Sequence, residues 1–196
     1  MVLHDLQKGL ETVTPGIGLH QIIHQLELLS QRSFPNNEVK AVLAQLDTMH
    51  AELEPYTFYA SNCYTRNRVY KSAFFELILM CWQAGQSSPI HGHEGQKCWM
   101  YVAEGSLEFT NYQDIATDAG IKLQKIATVV GGRGFVDGPA YIHGVANIAE
   151  YPALSLHLYA SPFTQCDAYD ISAQNAKKIQ LCYYSIEGKR LLQEPG

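Results

Sequence analysis

Several features are missing from this sequence, and each absence narrows what it can do. No run approaches roughly 18 uninterrupted apolar residues, so a membrane-spanning helix is not expected. No basic cluster occurs; 14 basic against 19 acidic side chains leave a formal charge of -5, which disfavours nucleic acid and anionic membrane surfaces as partners. The opening stretch, MVLHDLQKGLETV, does not set a basic end before an apolar block, so no secretory signal is expected. There is no CxxC, and the five cysteines (Cys63, Cys81, Cys98, Cys166 and Cys182) are odd in number. That disfavours a disulfide framework or a structural zinc site and suits a reducing, cytoplasmic compartment. Repeats, low-complexity tracts and linkers are also absent. With 46% hydrophobic and 17% charged residues, the 196-residue chain reads as one globular domain spanning 1–196, two small domains being the less economical alternative, and is expected to be a monomer.

What is present divides into two textures. Residues 1–60 read as helical. Leu19, Ile22, Ile23, Leu26 and Leu29 recur at helical spacing, as do Val39, Val42, Leu43, Leu46 and Met49 after the Ser-Phe-Pro-Asn-Asn break, where Pro35 and the two asparagines are expected to cap the second helix. These apolar stripes are expected to pack on the rest of the domain. Over 61–196 the pattern turns to strands. Phe74 to Trp82 forms a buried-strand run, and further segments are expected at 98–103, 106–112, 121–130, 141–148, 153–160 and 178–186. The fold class is therefore mainly β, a sandwich or barrel with the N-terminal helices packed outside.

His91-Gly92-His93 carries the chemistry. Residues i and i+2 on a strand share a face, so both imidazoles can meet one ion. A further histidine follows in Tyr141-Ile142-His143-Gly144-Val145-Ala146-Asn147. Gly85, His91, His93, Cys98, Gly105, His143 and Asn147 together resemble the two motifs of the cupins, with Cys98 at the place of the usual glutamate and Gly138-Pro139-Ala140 in place of the usual P-x-G. The resemblance implies a double-stranded β-helix (jelly-roll barrel) with a three-histidine metal site. Three neutral imidazoles leave about three positions open on an ion, which suits chemistry better than a closed structural cage; iron, zinc, nickel and copper all accept such a set. The uncompensated double charge would attract an anion such as a thiolate.

Three blocks sharpen this: Tyr64-Thr65-Arg66-Asn67; His91 to Cys98; and Ser155-Leu156-His157-Leu158-Tyr159-Ala160-Ser161-Pro162-Phe163. They are similar to those of cysteine dioxygenase, a cupin family that converts L-cysteine and O2 to cysteine sulfinic acid at Fe(II). The resemblance covers about residues 55–190. It implies iron on His91, His93 and His143, and Arg66 on the substrate carboxylate, where a guanidinium gives a planar bidentate grip. It implies a thioether between Cys98 and Tyr159, a catalytic group made of Ser155, His157 and Tyr159, which alternate on one strand face, with Tyr159 also bonding substrate or oxygen, and a substrate-pocket role for Tyr64 in support of Arg66. Cys166 matches a family cysteine near the pocket mouth. Three rivals remain. One is 3-mercaptopropionate dioxygenase, whose members usually have glutamine at the Arg66 position and lack the Cys98 equivalent. The others are a cupin that binds metal without turnover and a metal-dependent isomerase or decarboxylase.

Overall fold

The computed structural model describes residues 18–46, 50–117 and 120–192. Three helices come first: α1 (Leu19–Ser30), α2 (Asn36–Leu43) and a single turn α3 (His50–Leu53), followed by a 3-10 turn at Glu54–Tyr56. Helix α1 buries Leu19, Ile22, Leu26 and Leu29, the stripe expected from the sequence. The second stripe is cut short. Helix α2 stops at Leu43, and Met49 lies outside the described residues. The expected asparagine cap is not made. Pro35 occupies the cap position without a side-chain cap bond, and Asn36 Oδ1 instead accepts from Trp99 Nε1 at 2.8 Å. The asparagine thus tethers the helix to the sheet beneath it.

Thirteen strands follow among the described residues: β1 (Thr65–Lys71), β2 (Glu76–Trp82), β3 (Ile90–Gly92), β4 (Lys97–Glu104), β5 (Ser106–Thr117), β6 (Gly120–Gly132), β7 (Val136–Ala140), β8 (Ile142–Ala146), β9 (Ala153–Ala160), β10 (Gln165–Asp170), β11 (Asn175–Gln180), β12 (Ser185–Ile186) and β13 (Lys189–Arg190). They make a seven-stranded sheet in the order β13-β12-β1-β2-β9-β4-β7 and a six-stranded sheet in the order β11-β10-β3-β8-β5-β6. This is the jelly-roll arrangement of the double-stranded β-helix, with the helices outside. Two sequence expectations change. The segment 178–186 is not one strand: β11 ends in one sheet and β12 begins in the other. The segment 141–148 contracts to β8, and an extra strand, β7, runs through Asp137-Gly138-Pro139, between two of the expected segments.

The two-residue period of the strands sorts the seven-stranded sheet into two cores. Leu77, Leu79 and Cys81 of β2, Trp99 and Tyr101 of β4, and Leu154, Leu156 and Leu158 of β9 join the helix stripes in one cluster. Ile78, Met80 and Trp82, Cys98 and Met100, and Ala153 and Tyr159 take the opposite face, where they meet Leu107, Phe109 and Val145 of the six-stranded sheet. Strands buried on both faces explain the unbroken apolar run of β2. Each fully buried leucine or isoleucine contributes about 1.5–3 kcal/mol. The inner face of β9 is the one that carries Ser155, His157 and Tyr159.

Two motif residues hold this frame. Asn147 Nδ2 donates to the carbonyls of Trp82, Gln83 and Tyr151 at 3.3, 3.2 and 2.9 Å, tying the end of β8 to the end of β2. Asn67 Nδ2 donates to Leu79 O at 3.2 Å while its Oδ1 accepts from Ser185 Oγ at 2.8 Å, fixing β1 between β2 and β12.

Candidate active site

His91 on β3 and His143 on β8 are direct antiparallel partners, and His93 follows just beyond the end of β3. Direct partners share a face, so the pairing brings the third imidazole to the first two. Ring centroids stand 5.1 Å apart for His91 and His93, and 4.8 Å apart for His143 from each of the others. One nitrogen from each lies within 4.8 Å of the others'.

The donor chemistry fits a metal. His91 Nδ1 lies 2.9 Å from Pro89 O. A carbonyl only accepts, so Nδ1 carries the hydrogen and Nε2 keeps its lone pair free, the usual device for orienting a ligating imidazole. Both ring nitrogens of His93 and of His143 are buried without a hydrogen-bond partner. Each neutral ring has one lone pair, so two lone pairs stand unpaired in this cluster, which is expensive unless an ion takes up one nitrogen of each ring. Burial pulls His91 down to about 4 and His93 down to about 3, with each further lowered by a neighbouring positive or titratable group, and holds His143 well below its ordinary range. All three are therefore neutral near pH 7, the state a metal ligand needs. Among the described residues, no carboxylate joins the group. The cupin glutamate position is Cys98, on β4.

Arg66 comes from β1, opposite Met80, and points between the sheets. It is 9% exposed, and its Nε and Nη2 are buried without partners. Its Cζ stands 5.5 Å from the Tyr159 ring centroid. Arg66, Tyr64, His91, Tyr159, Phe163 and Cys166 line one narrow cavity. A buried guanidinium with free N–H groups beside an open metal set can grip a small anion at one end while the ion engages the other.

The remaining sequence candidates fall around this cavity. Ser155 Oγ lies 2.8 Å from His157 Nε2. The rings of His157 and Tyr159 stack at 6.0 Å and 22°, and neither His157 Nδ1 nor Tyr159 Oη has a hydrogen-bond partner. The row Ser155, His157, Tyr159 is thus bonded at its first link only. Burial raises Tyr159 well above the usual tyrosine range. Cys98 is Tyr159's direct partner across β4 and β9, and burial pushes its thiol far up. Tyr64 stacks on Trp82 at 4.5 Å and 16°. The Cys166 thiol is raised to about 11, chiefly by burial, so it sits at the cavity as a neutral thiol.

Sequence reasoning missed three polar partners, Trp82 and Glu76 buried and Tyr183 half-buried. Trp82 Nε1 donates to Ser155 Oγ at 2.9 Å. Glu76, directly opposite Tyr159 and fully buried, accepts from Tyr183 Oη at 2.5 Å. The signal for Glu76 was one acid heading an apolar run; for Trp82 and Tyr183 there was none, because cross-strand register is not written in a single segment.

Comparison with known proteins adds an independent line. A profile of the family described as cysteine dioxygenase type I matches residues 11–172. Rat cysteine dioxygenase type 1 is 30% identical over 176 residues, covering 88% of this chain and 87% of the relative. The human protein of the same name is 28% identical over the same shares of each chain. Among solved structures, an RmlC-like cupin protein from Desulfovibrio desulfuricans aligns with a TM-score of 0.42 at 23% identity, over 55% of this chain and 91% of that one.

Proposed function

The chain belongs to the type I cysteine dioxygenase family, and from that premise we propose that it oxidises the thiol of L-cysteine with O2 to cysteine sulfinic acid. It is an oxygenase enzyme of the cupin fold, and its three-histidine cluster is the metal site of a thiol dioxygenase. Iron is the metal we assign. Held by His91, His93 and His143, it would supply the redox chemistry and acidify the substrate thiol.

The observation that carries the reading is the shared cavity of Arg66 and His91. A small thiol acid has a sulfur for one end and a carboxylate for the other. Arg66 presents two buried, unpartnered N–H positions to the carboxylate. Tyr64 stacks against Trp82 at the same wall, which keeps the cavity narrow and selects a small substrate. Tyr159 holds its hydroxyl proton through burial and offers its phenol to substrate. Phe163, in edge contact with both His93 and Tyr159, closes the site against water. Both atoms of O2 end on sulfur, and the thiol hydrogen ends on the sulfinate, so the reaction balances without a further reductant. A Cys98–Tyr159 thioether belongs to the same proposal. The five free cysteines of the fold suit a reducing cytoplasm.

Oxygen uptake by the iron-loaded protein with L-cysteine, 3-mercaptopropionate and cysteamine tests the substrate. L-cysteine is expected to be the fastest. Faster turnover of 3-mercaptopropionate would assign the chain to the rival thiol.

A further inference from the structure

Ser155 Oγ sits between two fixed nitrogens. Trp82 Nε1 approaches it at 2.9 Å and His157 Nε2 at 2.8 Å. All three side chains are essentially inaccessible, at 0% for Trp82 and Ser155 and 1% for His157. The Trp82 ring is itself held, stacked on Tyr64 at 4.5 Å.

An indole N–H can only donate. That leaves two arrangements for a neutral His157. In one, His157 carries its hydrogen on Nε2 and Ser155 Oγ accepts from both sides. The serine hydrogen then has no acceptor, and the His157 Nδ1 lone pair, which has no hydrogen-bond partner, is stranded as well. In the other, Ser155 accepts from Trp82 and donates to Nε2. Only the Nδ1–H is then left over. Each stranded buried group costs about 1–3 kcal/mol, so the arrangement with one orphan is favoured over the arrangement with two. Burial also holds His157 well below its ordinary range, which removes the doubly protonated form.

We infer that Trp82 is a positioning residue that fixes His157 as its Nδ1–H tautomer, so that the hydrogen bonds run in one direction from Trp82 through Ser155 to His157. His157 then has no free lone pair: Nδ1 carries hydrogen and Nε2 is occupied by Ser155. It cannot act as a base toward Tyr159. Its Nδ1–H is a buried donor with no acceptor in the fold, and Tyr159, stacked on it, stays a phenol. The tautomer stands whatever the reaction is; only its kinetic consequence rests on the proposed thiol oxidation.

Nitrogen-15 NMR of the full-length, metal-free protein reads the tautomer directly, with the His157 signals assigned by their loss in His157→Gln. The wild type is expected to show hydrogen on Nδ1 and a bare Nε2. Trp82→Phe is expected to convert this to a mixture of tautomers, and in the iron-loaded enzyme to lower kcat about tenfold with KM for cysteine within about twofold. Ser155→Ala, which keeps the indole and is the smaller change, is expected to release the tautomer in the same way and serves where Trp82→Phe does not fold. An Nε2–H wild type, an unchanged tautomer in either variant, or a changed tautomer with unchanged kcat overturns the role of Trp82. A wild type that shows the Nδ1–H form but no thiol oxidation upholds the hydrogen-bond direction and refutes the proposed reaction instead.

Discussion

Cys98 and Tyr159 stand directly opposite one another on β4 and β9, at 0% and 1% exposure. Side chains at such a position have Cβ atoms about 4.5–5.5 Å apart, within reach of a bond from sulfur to a tyrosine ring carbon. Forming that thioether removes two hydrogens, with O2 as the oxidant. Intact-mass analysis after aerobic turnover with iron is expected to show a fraction lighter by two hydrogens. Peptide mapping is expected to join the Cys98 and Tyr159 peptides, and Cys98→Ala is expected to lose the signal. Only free Cys98 after prolonged turnover would show that the pair stays unlinked.

Arg66→Gln removes the one buried guanidinium among the residues that line the cavity, keeping similar length. Charge-assisted hydrogen bonds contribute about 1.5–3 kcal/mol, so KM for cysteine is expected to rise by about 10–100-fold, with a smaller change in kcat. Steady-state oxygen uptake measures both. An unchanged KM would place the substrate carboxylate elsewhere.

The metal-free protein is expected to lose stability in acid earlier than a carboxylate-driven transition would require. His91, His93, His143 and His157 all have folded-state values depressed by burial. In the unfolded chain they titrate near the ordinary value of about 6.5. Their contribution is therefore complete above about pH 6.5 and is lost as pH falls toward the folded values of about 4 for His91 and about 3 for His93. Melting curves of chelator-treated protein from about pH 7.5 to about pH 5 are expected to show a falling Tm, with a shallower slope in His143→Asn. A flat profile would mean that these imidazoles are not buried as described.

Gly105 holds φ at +72°, and a Cβ there would lie 2.8 Å from the Pro152 carbonyl. Gly105→Ala is expected to cost about 1–3 kcal/mol. For a chain of this size, that lowers Tm by about 2–4 °C per kcal/mol, read by calorimetry. A variant as stable as the wild type would show that the turn relaxes freely.

The site was legible where chemistry follows the strand period. His91-x-His93 and Ser155-x-His157-x-Tyr159 each declare a shared face by alternation alone. What brings His143 to His91, or Cys98 to Tyr159, is pairing between strands far apart in sequence, and for those the spaced family motifs supplied what local pattern could not. The helix stripe of α1 was plain because its apolar face is continuous. Strand β1 was hidden because its inner face carries Arg66 and Arg68, where pattern reasoning expects apolar residues. The segment 178–186 was expected as a single strand between turn residues. The backbone instead changes partners there, with Leu181 N bonded to Thr164 O and Tyr184 N bonded to Arg66 O, as the chain passes from one sheet to the other.

The most direct test of the reaction is turnover of L-cysteine by the iron-loaded protein under isotope-labelled O2, followed by mass analysis of the product. Cysteine sulfinic acid with both sulfinyl oxygens labelled, formed by the wild type and abolished in His91→Ala along with iron binding, is the expected result. Incorporation of oxygen from water, no sulfinate at all, or full activity and iron content in His91→Ala would contradict it.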